Sequence, residues 1–495
     1  MADKQQFSYT HILKATSLFG GVQVFKILIS IIRVKIVAIL LGGVGMGIIG
    51  LFNSTIQVVS EIAKLGLDTS AVKELAHVHA SKDEKAVIKT VSILQKFIAI
   101  TAIIGAIFTV VFSALLSQLT FGNTDYTFEF IWLAIAIFFM QLTNGKIAIL
   151  QGTQALKKLA VANVLGSTVG LVVSIPLYYI YGLEAIVPTI IITAVIIFIF
   201  FWYFENTLKI QRISLGIREA YDKGRDMLHL GFVLSITGIV IFTTTYLLQI
   251  YIRYMGGLDE VGYYTAGFLI INSYVGMVFN AMGTDYFPRL SSIHTDNAQV
   301  QIAVRNQATI AILLITPIIT TFFIAAPLIV KILYSKEFLV IIGLISWGVL
   351  GMVFKAVSWS VGYVILAKGD SKIFVKTSIG FSLLMLAMNC AGYYFGGLTG
   401  LGISVLAYYI IHFTGLLIIT KMSYGLLFQS TFYKLFMQCV LLCGAAFACT
   451  FLESNYLKYG GIIAIMLLSY IFTYSELQKK MNIKQLIKNK LSKRS

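Results

Sequence analysis

The sequence predicts an all-α polytopic membrane protein of about 14 transmembrane helices, arranged as two pseudo-symmetric six-helix bundles plus two C-terminal helices, with both termini in the cytoplasm. Three observations predict it. The 495 residues are 58% hydrophobic and 12% charged, with a mean hydropathy of +0.87, which no ordinary soluble domain reaches. Runs such as 186–204 and 462–474 are apolar without interruption, where the strands of a membrane barrel would alternate, and in lipid only helices or closed barrels satisfy the backbone. Finally, the basic residues fall in every second loop.

In chain order the hydrophobic segments are 12–40, 47–66, 92–116, 129–150, 159–181, 185–204, 228–254, 262–283, 307–331, 339–365, 374–395, 400–420, 433–452 and 460–475. Each has the length that crossing a bilayer helically requires. One set of loops holds Lys73, Lys82, Lys85 and Lys89, then Lys157 and Lys158, then Lys209, Arg212, Arg218, Lys223 and Arg225, and later Arg289, Arg305, Lys368, Lys372 and Lys421. The opposite set is poor in lysine and arginine, keeping mainly Lys331, Lys336 and Lys458 beside Asp125, Glu184, Asp259, Glu260 and Glu453. The positive-inside rule puts the basic set and both termini in the cytoplasm. The first segment is too long and too charged for a cleavable leader.

An internal repeat sets the domains. Leu41-Gly42-Gly43 leads into Gly47 and a helix ending near Gly66, and Met255-Gly256-Gly257 leads into Gly262 and a helix ending at Gly283, about 215 residues later. The expected organisation is therefore a six-helix lobe at 1–204, a basic cytoplasmic linker at 205–227, a second six-helix lobe at 228–420, two extra helices at 421–478 and a basic tail at 479–495. Repeated halves of this kind rock about a site between them.

The candidate site begins on the first helix. Gln23, Lys26, Ser30 and Arg33 stand at i, i+3, i+7 and i+10, so one helical stripe is polar. A cation at mid-membrane costs about 2.5–3.5 kcal/mol, which predicts that the stripe faces an internal watery cavity. On the second helix Asn53, Gln57, Glu61, Lys64 and Asp68 follow i, i+4, i+8, i+11 and i+15. Gln23, Ser30, Asn53, Gln57 and Lys64 are read as cavity-lining, with helix-to-helix hydrogen bonding as the plainer alternative. Glu61, three residues before Lys64, is the candidate for ion coupling, with proton and sodium both open. Lys355 sits midway along the tenth segment, too deep to snorkel, whereas Lys96 and Lys146 lie near helix ends and are expected to snorkel. Arg253, which shares a helical face with Thr245 and Gln249, is expected to anchor at the interface.

Several function classes are excluded or disfavoured. The net charge of +17 resides in loops where topology explains it, so nucleic acid is not an expected partner. Cys390, Cys439, Cys443 and Cys449 lie in apolar segments without histidine or carboxylate companions, and His77 with His79 lacks metal-ligand spacing, so no metal or cofactor is expected. An enzyme would need catalytic groups on a sizeable outer loop, yet 117–128 is among the longer ones.

Beyond these patterns, the order of segments, the Gly-turn repeat, Phe121-Gly122-Asn123-Thr124-Asp125-Tyr126, and Lys355 followed by Gly362-Tyr363-Val364-Ile365-Leu366-Ala367-Lys368 resemble the Wzx-type polysaccharide flippases of the multidrug/oligosaccharidyl-lipid/polysaccharide (MOP) superfamily. Arg33-Val34-Lys35 also looks like the basic first-helix motif of lipid II flippases. The resemblance implies transfer of an undecaprenyl-diphosphate-linked oligosaccharide (O-antigen, common-antigen or capsule repeat unit) from the cytoplasmic to the periplasmic leaflet of the bacterial inner membrane. It gives Arg33, Lys26 and Lys355 the diphosphate, and membrane lipids, a glycan polymerase and chain-length machinery as partners. Met352 stands where some relatives place an acidic residue, which removes the local ion-pair partner expected for Lys355. A multidrug or ion-coupled exporter of the same superfamily is the alternative, and a membrane glycan polymerase or ligase a more distant one. An exporter of cations would favour acidic residues in its cavity, and here the excess is basic.

Overall fold

The computed structural model describes residues 28–81 and 83–480, which are helical almost throughout and contain no strand. Eleven helices among them are long and apolar enough to cross a membrane. Two of those fold back on themselves. In 156–206, α7 and α8 pack as a hairpin in which Gly166 meets Ile197 and Gly170 meets Thr193. In 371–424, Gly396 and Gly397 leave helical geometry, and Gly392 and Gly400 then meet backbone to backbone while Ser404 donates to Asn389 Oδ1 at 2.8 Å. Residues this far apart along an unbroken helix cannot touch, so the segment is a helical hairpin.

The chain forms two compact units, which divide after Gly262, with Leu333–Ser335 also belonging to the first. The first contains the described part of α1 (28–40), α2 (Gly42–Lys64), α3 (Leu67–Ala80), α4 (Glu84–Val111), α5 (Ser113–Phe121), α6 (Thr127–Gly152), α7 (Leu156–Tyr181), α8 (Ile186–Asn206) and α9 (Ile217–Gly256). Left-handed Gly42 breaks α1 from α2, and left-handed Leu65 and Gly66 break α2 from α3, so the second hydrophobic segment ends at this break and a separate helix follows. The repeated glycines serve one another. A Cβ on Gly47 would stand 2.0 Å from Leu258 O, and one on Gly262 would stand 2.1 Å from Gly43 O.

The last helix of the first unit is long. α9 begins at Ile217, inside the expected linker, and packs on α2, α3 and α4. Glycine makes this possible: a Cβ on Gly66 would fall 2.0 Å from Gly231 O, and one on Gly231 would fall 2.4 Å from Leu65 O. The residues before α9 and in its first turns are also built in. Leu215, Ala220 and Met227 are buried in one core with Leu75, Leu94 and Phe97, and Ile213 N donates to Ser92 Oγ at 3.1 Å. Composition marks 205–227 as basic, but its apolar residues dock it onto α4 and α6.

Glu205 fixes this segment. Only 3% exposed, it accepts from Lys146 Nζ at 3.0 Å and Arg212 at 3.1 Å. Lys146 therefore reaches a buried carboxylate rather than the headgroups. Along α9, Ser54 Oγ donates to Gln249 Oε1 at 2.6 Å, Thr120 and Tyr246 hydroxyls lie 2.6 Å apart, and Arg253 donates to Phe121 O at 2.9 Å. Arg253 thus clamps the end of α5.

The second unit holds most of α10 (Leu258–Leu269), α11 (Met277–Ser292), α12 (Asn297–Leu333), α13 (Ile342–Ala367), α14 (Ser371–Tyr424), α15 (Ser430–Cys449) and α16 (Asn455–Lys480). Asp296 accepts from Ala298 N and Gln299 N ahead of α12; the Gln299 N–H holds its carboxyl below the usual range. The last helix, α16, joins α12 through polar pairs: Thr320 and Ser469 hydroxyls lie 2.8 Å apart, and Thr473 donates to Leu313 O. Cys439 and Cys443 are fully buried, Cys390 and Cys449 partly so, and none forms a disulfide.

Candidate functional site

Gln23 and Lys26 lie outside the described residues. The rest of the first-helix stripe can be followed. On α1 the exposed side chains are Leu28, Ile32, Ile39 and Leu40, whereas Ile29, Val37, Ala38 and Leu41 are buried in the first unit. Ser30 and Arg33 are half-buried between these sides. The hydroxyl of Tyr178, a residue 3% exposed on α7, is within hydrogen-bonding reach of Arg33. This partner is an uncharged phenol rather than a carboxylate. Lys35, two residues on, donates to Tyr334 O.

On α2, Asn53 and Gln57 are exposed one turn apart. Below them Glu61 is 8% exposed, and it is not open to a cavity as a lone carboxylate. Lys64 Nζ lies 2.8 Å from Glu61 Oε2 and 2.9 Å from Asp68 Oδ2, so one cation bridges two carboxylates. Lys64 accordingly serves this network first. Glu61 Oε1 also faces Gly238 of α9, whose missing side chain leaves the carboxylate its space.

Lys355 belongs to the second unit. It is half-buried on α13, and its ammonium donates to Asn272 Oδ1 at 3.0 Å. The same nitrogen stands 5.2 Å from the ring centre of Tyr409 and 6.0 Å from that of Phe279. Among the described residues, its partners are an amide and two aromatic faces. Such a site stabilises the cation without neutralising it.

Sequence reasoning missed Tyr178, Asn272 and Glu205. Asn272 carried a signal, since Asn272-Ser273 is a polar pair inside an apolar run. Tyr178 and Glu205 carried none, because each sits at the end of a segment where aromatic and charged residues are routine. Among the described residues no cluster of histidine, cysteine and carboxylates is placed to hold a metal.

The pattern of a family described as polysaccharide biosynthesis protein matches residues 36–343, more than half of the chain. The chain belongs to the polysaccharide biosynthesis protein family. Relatives of this family member include the Lipid III flippase of Escherichia coli (strain K12), 22% identical over 391 residues, which are 77% of this chain and 91% of the relative. The Lipid III flippase of Shigella flexneri matches to the same extent. Among solved structures, lipid II flippase MurJ in an inward closed conformation gives a TM-score of 0.71 at 14% identity, covering 94% of this chain and 99% of MurJ. An inward-facing multidrug resistance MATE family transporter of the MOP superfamily gives 0.68 at 14%, covering 83% of this chain and 96% of its own. This polysaccharide biosynthesis protein therefore has the all-helical fold of MOP transporters. Arg33 and Lys355 both fall just outside the matched span, so their roles rest on the geometry around them.

Proposed function

We propose that the protein is a flippase that carries undecaprenyl-diphosphate-linked oligosaccharide from the cytoplasmic to the periplasmic leaflet by alternating access. The observation that carries this reading is the pair of half-buried cations with neutral partners, Arg33 beside Tyr178 and Lys355 beside Asn272, on a fold shared with MurJ. A diphosphate cannot enter hydrocarbon bare, because an unpaired charge in low dielectric is very costly. Guanidinium offers a fork matched to phosphate oxygens, and ammonium adds a compact charge. The polyprenyl chain has no such need and can remain among the lipids.

The rest of the reading follows. Fourteen passes place both termini in the cytoplasm of a bacterial inner membrane, in two pseudo-symmetric lobes with the last two helices added. Gln23, Lys26, Ser30, Asn53 and Gln57 line the path, Lys26 next to Arg33 on the diphosphate. Glu61 is the coupling residue for a proton or sodium ion, and a glycan polymerase with its chain-length machinery takes the product.

The test is to deplete the protein in cells and quantify lipid-linked oligosaccharide on each leaflet, then to complement with Arg33→Ala and Arg33→Lys. Cytoplasmic accumulation is expected on depletion and with Arg33→Ala. Arg33→Lys should recover transport only in part, being about ten-fold weaker through loss of the bidentate fork. A normal distribution with shortened glycans would instead indicate a polymerase, and drug sensitivity without lipid accumulation an exporter.

A further inference from the structure

In the second unit a π-helical turn, Ile270–Val275, separates α10 from α11. Gly276 N closes it by donating to Ile271 O, five residues back, at 3.0 Å. Such a turn inserts one residue into the helical ladder, which is unfavourable in itself and is kept mostly where it re-aims a side chain.

Here two consecutive residues are re-aimed at one neighbour. Ile271, 1% exposed, fits against Gly348 of α13, where a Cβ would stand 2.4 Å from Ile271 Cδ1. Asn272 reaches Lys355, seven residues and two turns further along α13 on the same face. Glycine is required at the closing position, since a Cβ on Gly276 would fall 2.3 Å from Asn272 O. The turn, its glycine and the notch at Gly348 thus agree on one outcome, the placement of the Asn272 amide.

That amide does something a carboxylate would not. Lys355 lies over Tyr409 and Phe279, whose faces attract a cation but leave its charge in place. Asn272 Oδ1 takes one of three ammonium hydrogens and fixes the direction of the others. A carboxylate at that spot would hold the ammonium more strongly and cancel it.

We propose that the π-helical turn is a positioning device for Lys355, in which Asn272 holds the ammonium over Tyr409 with its charge uncompensated, ready for an anionic phosphate group of the substrate. Asn272 is a positioning residue, and its role rests on the reading of Lys355 as a phosphate contact.

The experiment uses the full chain in nanodiscs, titrated with undecaprenyl diphosphate, with thermal unfolding measured on each variant. Asn272→Asp should lower affinity about ten-fold, as Lys355→Ala does, with no further loss in the double variant. Its Tm should hold or rise, because an ion pair replaces a neutral hydrogen bond, an effect opposite to that of simple structural damage. Asn272→Ala and Gly276→Ala should each weaken binding about three-fold or more, by releasing the ammonium or closing the turn. Weakened binding in Lys355→Ala with wild-type binding in folded Asn272→Asp and Asn272→Ala would overturn the positioning role alone. Wild-type binding in every variant, Lys355→Ala included, would overturn the phosphate contact and the positioning role together.

Discussion

The carboxylate of Glu61 rests against the α-carbon of Gly238, so closely that a Cβ there would stand 2.4 Å from Oε1. One helix thus presses on another through an acidic side chain instead of an apolar one. The arrangement holds because Lys64 bonds the same carboxylate from its own helix. Gly238→Ala should push Glu61 aside, lower Tm by a few degrees and slow transport. Gly231→Ala should be worse, since its Cβ would strike Leu65 O, part of a backbone that cannot swing away. Thermal unfolding of the two variants in one detergent checks the order.

Lys64 is the centre of its network, and removing it strands two carboxylates. Breaking a buried pair from one side costs about 3–5 kcal/mol, whereas replacing both partners by apolar groups is often neutral. Lys64→Ala should therefore unfold at clearly lower temperature than Glu61→Gln, and Glu61→Leu with Lys64→Met should recover most of the loss. If the double variant is stable yet no longer transports, Glu61 has a role beyond packing.

Glu205 ties the chain before α9 to α6. Glu205→Ala leaves Lys146 buried without its counter-charge and should cost about 3–5 kcal/mol. Arg212 is 45% exposed, and its removal should cost about 1 kcal/mol at most. Limited proteolysis offers a direct readout, with cleavage in 207–216 appearing in Glu205→Ala and not in Arg212→Ala.

On α9 the Tyr246 hydroxyl meets Thr120, itself 3.4 Å from Thr55. Tyr246→Phe deletes this bond while keeping the ring, and should cost about 1 kcal/mol in an unfolding titration.

Acid should act locally at the start of α12. The Asp296 carboxyl has a folded pKa below its unfolded one, so its contribution is complete above the unfolded value of about 3.9 and fades as pH falls through the folded value. Exchange of the Ala298 and Gln299 amides, measured relative to Asp296→Asn, should lose its protection in that window.

The all-helical membrane character, the glycine turns and the Glu61 and Lys64 pairing were legible in the sequence, because each is set by local spacing along one helix. The packing of α9 on α2, α3 and α4 was not. It depends on Gly231 and Gly238 meeting Leu65 and Glu61, more than 160 residues away, and glycine spacing alone names no partner. The 205–227 segment reads as a linker because positive charge follows topology, while Leu215 and Met227, which bury it, are too sparse to form a pattern. At the candidate site the cations were visible, but which companions they meet was not. Tyr178 and Asn272 contribute through where the backbone delivers them, and the polar pair Asn272-Ser273 does not by itself reveal the turn that delivers Asn272.

The four unpaired cysteines carry a practical consequence. Cys439 and Cys443 are 0% exposed, so a maleimide cannot reach either sulfur in the folded protein. Exchanging Cys390 and Cys449 for alanine therefore yields a chain silent to thiol reagents, on which one cysteine introduced at Asn53 or Gln57 can be painted from either side of a sealed vesicle to report which compartment it meets.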